Sequence, residues 1–174
     1  MLPSLLAAVS SDGLTWTGLG TVAAVPGRNA FFPAASVSPD GVVSIAFDAL
    51  TAPPPSDPWQ TGVQVYDAYY AQSPAGGTAF GAPLRVSTAS SNPDGSSYND
   101  LTEQFIGDYI DVVSGPSSSF LVWTDTRNAS QCAAVDAYRN AVYAGSKKAV
   151  APNPDIACAT RFGDTDTFVA LVVH

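Results

Sequence analysis

Positive charge is scarce in this chain. Its 174 residues carry 7 Lys and Arg against 15 Asp and Glu, a net charge of −8. That excludes a basic face able to bind nucleic acid by releasing phosphate counterions, and equally electrostatic docking on an anionic membrane. Histidine is scarcer: His174 stands alone, which argues against a serine–histidine triad or a histidine-rich zinc site. No apolar run approaches the ~20 residues that span a bilayer. The apolar start at 1–9 lacks a basic flank and runs into Ser10-Ser-Asp-Gly13, so Leu5 to Val9 reads as a strand rather than a signal segment. Two cysteines, Cys132 and Cys158, suffice for one disulfide, and with the acidic, lysine-poor composition they point to a secreted, extracellular protein.

Turn formers, by contrast, are abundant. Fourteen Gly and 14 Pro cut the chain into short segments, and 46% apolar residues are enough for a buried core. The segments repeat. Phe31-Phe-Pro-Ala-Ala-Ser-Val-Ser-Pro-Asp-Gly-Val-Val-Ser-Ile-Ala-Phe47-Asp48 is a strand, a tight turn and a second strand, and Phe105 to Asp125 has the same outline 74 to 77 residues later. Each hairpin precedes a further β-rich segment, Val63 to Ala71 and Thr165 to Val173. A fourth strand follows the first of these at Ala82 to Ser87. The chain therefore reads as all-β, in antiparallel four-stranded units. Residues 1–25 form the end of one unit, 26–88 a complete unit, and 105–174 three strands of a third. Repeated units of this kind build propeller blades.

The third unit carries an insertion, 128–160, that holds both cysteines. Within it Ala134, Val135, Tyr138, Ala141 and Val142 recur at helical spacing, with Ser130 as N-cap and Gly145 as the residue past the C-cap.

Two turns bear a signature. Ser10-x-Asp12-Gly13-x-Thr-Trp16 resembles the Asp-box of sialidase-type propellers, shortened by one residue, and Ser73-x-Ala75-x-Gly77-x-x-Phe80 has the full spacing without the acid. Phe105-Ile-Gly-Asp-Tyr109 followed by Phe120-Leu-Val-Trp-Thr-Asp-Thr-Arg127 resembles bacterial sialidase-like propellers of the exo-alpha-sialidase, Asp-box repeat kind. The resemblance covers nearly the whole chain and implies part of a six-bladed β-propeller with a short, disulfide-closed helical insertion. In the Asp-boxes we expect Asp12 to bond turn amides while Trp16 packs under the blade, a holding role without chemistry.

Meander topology puts those turns on one face and Asp108, Tyr109, Asp125, Arg127, Arg28, Asn29 and Asp48 on the other. There Asp108 and Tyr109 are expected to open an innermost strand, and Asp48 to be the positional counterpart of Asp125. The resemblance implies catalytic roles for Asp108, Tyr109 and Asp125, and substrate contacts from Arg127, Arg28 and Asp48, with a guanidinium gripping a sugar carboxylate. Phe31, Phe32, Phe47, Phe120 and Trp123 are expected in the core.

Departures from the family pattern matter. Its Phe-Arg-Ile-Pro type motif is absent, Glu103 is the single glutamate, and only Arg28 and Arg127 fall on the rim. Asp164-Thr-Asp166 and Asn92-x-Asp94-Gly95 lack the full oxygen spacing of a calcium loop, so no cofactor or metal is expected. Three functions follow: a fragment of a secreted sialidase-like glycoside hydrolase, a non-catalytic propeller module binding glycan or protein, or a truncated structural piece without activity alone. In each, blades from a longer chain or from other copies complete the ring, since six blades of ~70 residues need about 400.

Overall fold

The structure, a computed structural model, describes residues 4–53, 64–96 and 101–174. Among these residues nine strands form three separate antiparallel sheets in chain order. The first is a hairpin of β1 (Leu5–Val9) and β2 (Thr17–Ala23). The second is a four-stranded meander of β3 (Ala30–Val37), β4 (Val43–Leu50), β5 (Tyr66–Gln72) and β6 (Leu84–Arg85). The third joins β7 (Asp111–Ser114), β8 (Ser118–Asp125) and β9 (Asp166–Val173). This is the expected sequence of two, four and three strands. None of the sheets closes on itself among the described residues.

Side-chain alternation decides what each sheet packs against. On β4, Ile45, Phe47 and Ala49 face the first sheet and form one core with Leu5, Val22 and Ala23. The alternate residue Ala46 faces the third sheet and packs with Tyr70, Val112 and Leu121. Below that apolar layer Ser44, Tyr70, Ser114 and Ser119 close a buried hydroxyl network with contacts of 2.9–3.1 Å. Every hydroxyl in it finds a partner, so the network pins the two sheets in register at little cost.

The turn chemistry is as expected, its packing only in part. Asp12 accepts the Leu14 and Thr15 amides at 2.8 and 2.7 Å and the Ser10 hydroxyl at 2.9 Å. Those bonds hold its pKa well below the usual carboxylate range. Ser73 is buried beneath the second turn, and a Cβ on Gly77 would overlap Pro74, so only glycine fits there. Phe80 packs against the first core. Trp16, however, is 64% exposed instead of packing under a blade, because among the described residues the hairpin is joined by no third or fourth strand.

Three further expectations are corrected. Phe120 is 57% exposed and Phe32 partly so, while Phe47 and Trp123 are buried. Phe120 lies on the outer face of the third sheet with Val113, Val169 and Leu171, and no other sheet packs there among the described residues. Strand β7 begins at Asp111, so Asp108 and Tyr109 precede it rather than open it. Gly107 turns the chain there at φ 68°, with the Tyr109 ring folded into the space a side chain on Gly107 would need.

The insertion forms α1 (Ala133–Tyr143) and a short α2 (Pro154–Ala157), bridged by a Cys132–Cys158 disulfide. Cys132, not Ser130, occupies the N-cap and gives no side-chain cap bond. Ser130 is instead tied through its amide to the Arg161 carbonyl. Gly145 (φ 80°) follows the C-cap as expected, with amide bonds from Gly145 to Val142 and from Ser146 to Ala141. Those two bonds are a Schellman closure. The disulfide spans 26 residues and, by limiting the unfolded chain, contributes about 3 kcal/mol. Among the described residues no helix is long and apolar enough to cross a membrane.

Candidate functional site

Two hollows lie at the same edge of successive sheets. Each is formed where the first strand of a sheet begins, the second ends and the third begins. The hollow on the third sheet, about 600 Å³, is lined by Asp108, Tyr109, Asp111, Thr124, Thr165 and Asp166 among others. The hollow on the second sheet, about 440 Å³, is lined by Asn29, Phe31, Phe32, Leu50, Gln64 and Tyr66, and is covered by Pro93, Gln104 and Ile106. The two are repeat equivalents, both partly open to solvent, and the segment that leads to the third sheet covers one side of the second.

Of the residues singled out by sequence, Asp108 and Tyr109 stand at the open hollow. Both are exposed, Tyr109 to 72%. Asp166, which accepts the Asn128 side-chain amide at 2.7 Å, joins them. In the sequence it stands out only as half of the Asp164-Thr-Asp166 pair. Its alternation on β9, opposite Asp125, was the signal that could have placed it at the sheet edge.

Asp125 is not at the edge. It is fully buried on the face of β8 that meets the second sheet, where it takes the Trp123 indole N–H at 3.0 Å, the Arg127 amide at 2.8 Å and the Arg127 guanidinium at 2.6 Å. Burial would raise its pKa, but the Arg127 bonds, with those from Ser91 and Trp123, outweigh that and hold it below the ordinary carboxylate value. Both terminal nitrogens of Arg127 are committed as well, its buried Nε alone lacking a partner among the described residues. Its guanidinium also donates to Thr88 Oγ1 at 2.8 Å and lies 4.0 Å over the Phe168 ring. The pair clamps the 88–92 segment to the end of β8.

Asp48 is not the repeat counterpart of Asp125. Asp48 follows Phe47, whose ring packs against the first sheet, so it lies on the other face of β4, whereas Asp125 shares with Leu121 and Trp123 the face of β8 that meets the second sheet. Asp48 looks from the second sheet toward the third, and Asp125 from the third toward the second. The structure thus brings them together inside one inter-sheet layer. Asp48 is buried and its Oδ1 has no hydrogen-bond partner among the described residues. Burial, then the nearby charges of Asp125 and Asp67, push its pKa up to about 8. It holds its proton at neutral pH. Tyr66, whose hydroxyl donates to the Thr124 carbonyl at 2.8 Å, is shifted up by the same burial and by Asp48.

Two further arginines are also spoken for. Arg85 pairs with buried Asp67 at 2.6 Å. Arg139, fully buried on α1, donates to four backbone carbonyls, those of Asp94, Ser96, Leu101 and Glu103. Arg28 is half-buried at the turn before β3 and lines neither hollow. Among the described residues no group of three or more His, Cys, Asp or Glu is placed to hold a metal ion. Neither a protein-family model, nor a curated protein, nor a solved structure was found to match this chain.

Proposed function

We propose that the chain is part of a secreted, sialidase-like β-propeller acting as a non-catalytic glycan-binding module, with the open hollow at Asp108 and Tyr109 as its binding edge. The commitment of the Arg127 guanidinium to Asp125, Thr88 and Phe168 carries this reading. A sialoside hydrolase needs a guanidinium free to grip a sugar carboxylate, and an acid within reach of the glycosidic oxygen. Arg127 has no such freedom, and Asp125 is sealed and ionised.

What lines the hollow suits an uncharged glycan instead. The carboxylates of Asp108 and Asp111 accept from sugar hydroxyls, Thr124 and Thr165 both give and accept, and the exposed Tyr109 ring offers a face to sugar C–H groups. Calorimetric titration with neutral and sialylated oligosaccharides tests this. Neutral glycans are expected to bind, with Tyr109→Ala weakening them about tenfold, the worth of one such contact, at an unchanged melting temperature. Turnover of a glycoside that disappears in Asp108→Ala would assign the hydrolase reading instead.

The bare outer face of the third sheet favours completion by further repeat sheets, from a longer chain or from other copies. Val113, Phe120, Val169 and Leu171 are each more than half exposed on it, an apolar patch that a lone soluble domain rarely shows. In light scattering the isolated chain is expected to leave the monomeric state, either closing at three times 17.9 kDa or aggregating. Leu171→Lys should suppress both. A stable monomer of the unaltered chain would remove this part of the proposal.

A further inference from the structure

The covered hollow between the second and third sheets has features that packing alone does not require. Its volume, about 440 Å³, lies within the range of small-ligand sites, ~300–1,000 Å³. No charged side chain lines it among the described residues. Instead it combines three aromatic rings, Phe31, Phe32 and Tyr66, with three side-chain amides, Asn29, Gln64 and Gln104.

The details are those of a prepared site. The Asn29 Oδ1 is buried without a hydrogen-bond partner, at a cost of about 1–3 kcal/mol that a turn of the side chain toward a donor in the hollow would relieve. Gln104 donates through Nε2 to Asp94 Oδ1 at 2.8 Å, which fixes the amide plane and leaves its own oxygen for another donor. Phe32 sits at φ 51°, a left-handed conformation that bulky residues rarely adopt. Its ring packs edge-on against Phe31, with centroids 5.1 Å apart, and Phe31 meets Tyr66 in the same manner at 6.0 Å. The rings thus form a packed apolar wall of a hollow that also holds three amides, one of them fixed.

We infer that this hollow is a second binding site, separate from the edge at Tyr109, for a single uncharged sugar ring. Its hydroxyls would donate to Asn29 and Gln104 and its C–H face would lie against the Phe31–Phe32–Tyr66 wall. An ionic ligand is disfavoured because no opposite charge lines the hollow to repay its desolvation. This inference shares with the preceding proposal only the class of ligand, and the two stand or fall apart.

The test is a residue-resolved NMR titration of the whole chain, kept monomeric by Leu171→Lys, with methyl glucoside, methyl galactoside and N-acetylglucosamine in turn. At least one is expected to move the Asn29 and Gln104 side-chain amide signals saturably. Asn29→Leu, which removes no hydrogen bond of the fold, and Phe32→Gly, which relieves the backbone, should each weaken that response tenfold or more. Tyr109→Ala should leave it intact. Shifts confined to the neighbourhood of Tyr109, no saturable shift with any of the three sugars, or equal binding by Asn29→Leu would overturn the inference. The first of these outcomes would leave the edge site standing, and shifts confined to Asn29 and Gln104 would do the reverse.

Discussion

Replacing Asp48 by Asn is expected to stabilise the protein by about 3–5 kcal/mol at pH 8 and to change little below pH 4. The native protein keeps the Asp48 proton up to about pH 8, whereas the unfolded chain releases it near pH 4. Between those values the native state binds more protons, so stability is full below pH 4 and falls as pH rises toward 8, by as much as ~1.4 kcal/mol per unit. Asn removes the ionisation while keeping the shape and the unpaired oxygen, so the gain measures the charge rather than new bonds. Asp125 works in the opposite sense. Its lowered pKa contributes stability above the ordinary carboxylate range that is lost as pH falls below about 4. Urea unfolding across pH 3–9 should therefore show a maximum near pH 4 in the unaltered chain and a plateau reaching neutrality in Asp48→Asn. A parallel, undiminished alkaline decline in both would mean that Asp48 is not the group responsible.

The buried aspartates also show how far the sequence could be read. The two-, four- and three-stranded meanders were legible because strand and turn signals are local: alternating β-branched and aromatic residues, then Ser10-x-Asp12-Gly13 or Pro39-Asp40-Gly41. Helix α1 was legible for the same reason, down to Gly145 at its end. Face assignment was not, because it rests on parity. Matching Asp48 to Asp125 by their place at the end of a strand sets the register of the two units one residue off, and one residue of slip turns a side chain to the other face. The packed faces give the better match, Phe47 with Trp123, both buried against the preceding sheet. Exposure of Phe120 and Trp16 was illegible for a different reason. Alternation says which residues share a face, but not whether anything lies opposite it.

Arg139 had no signal at all, and it carries the second large effect. On an amphipathic helix one arginine reads as part of the solvated face, yet here it is wholly enclosed. Its partners are carbonyls of Asp94, Ser96, Leu101 and Glu103, at 2.7–3.2 Å, and backbone acceptors leave no mark in a sequence. The guanidinium fork suits this task because it offers five donors in fixed directions, whereas a lysine ammonium offers three from a point. Arg139→Met keeps most of the stem but strands those carbonyls and leaves Asp136, 3.7 Å away, without its cation. The expected loss is about 3–5 kcal/mol, seen as a lower urea midpoint, and Arg139→Lys should recover little of it. Burial already disfavours the Asp136 charge, so the variant's deficit should shrink at low pH, where that carboxyl is neutral.

The consequence extends beyond stability. The carbonyls Arg139 gathers belong to the segment that delivers Gln104 and Ile106 over the inter-sheet hollow, and the disulfide ties down the insertion that carries α1. The insertion, which departs from the repeat, thus holds the cover of that hollow in place. In Arg139→Met the Gln104 side-chain amide signal should broaden or move even under conditions where the sheets remain folded, while signals around Tyr109 stay unchanged. Equal shifts at both hollows would show that Arg139 supports the whole structure rather than the cover.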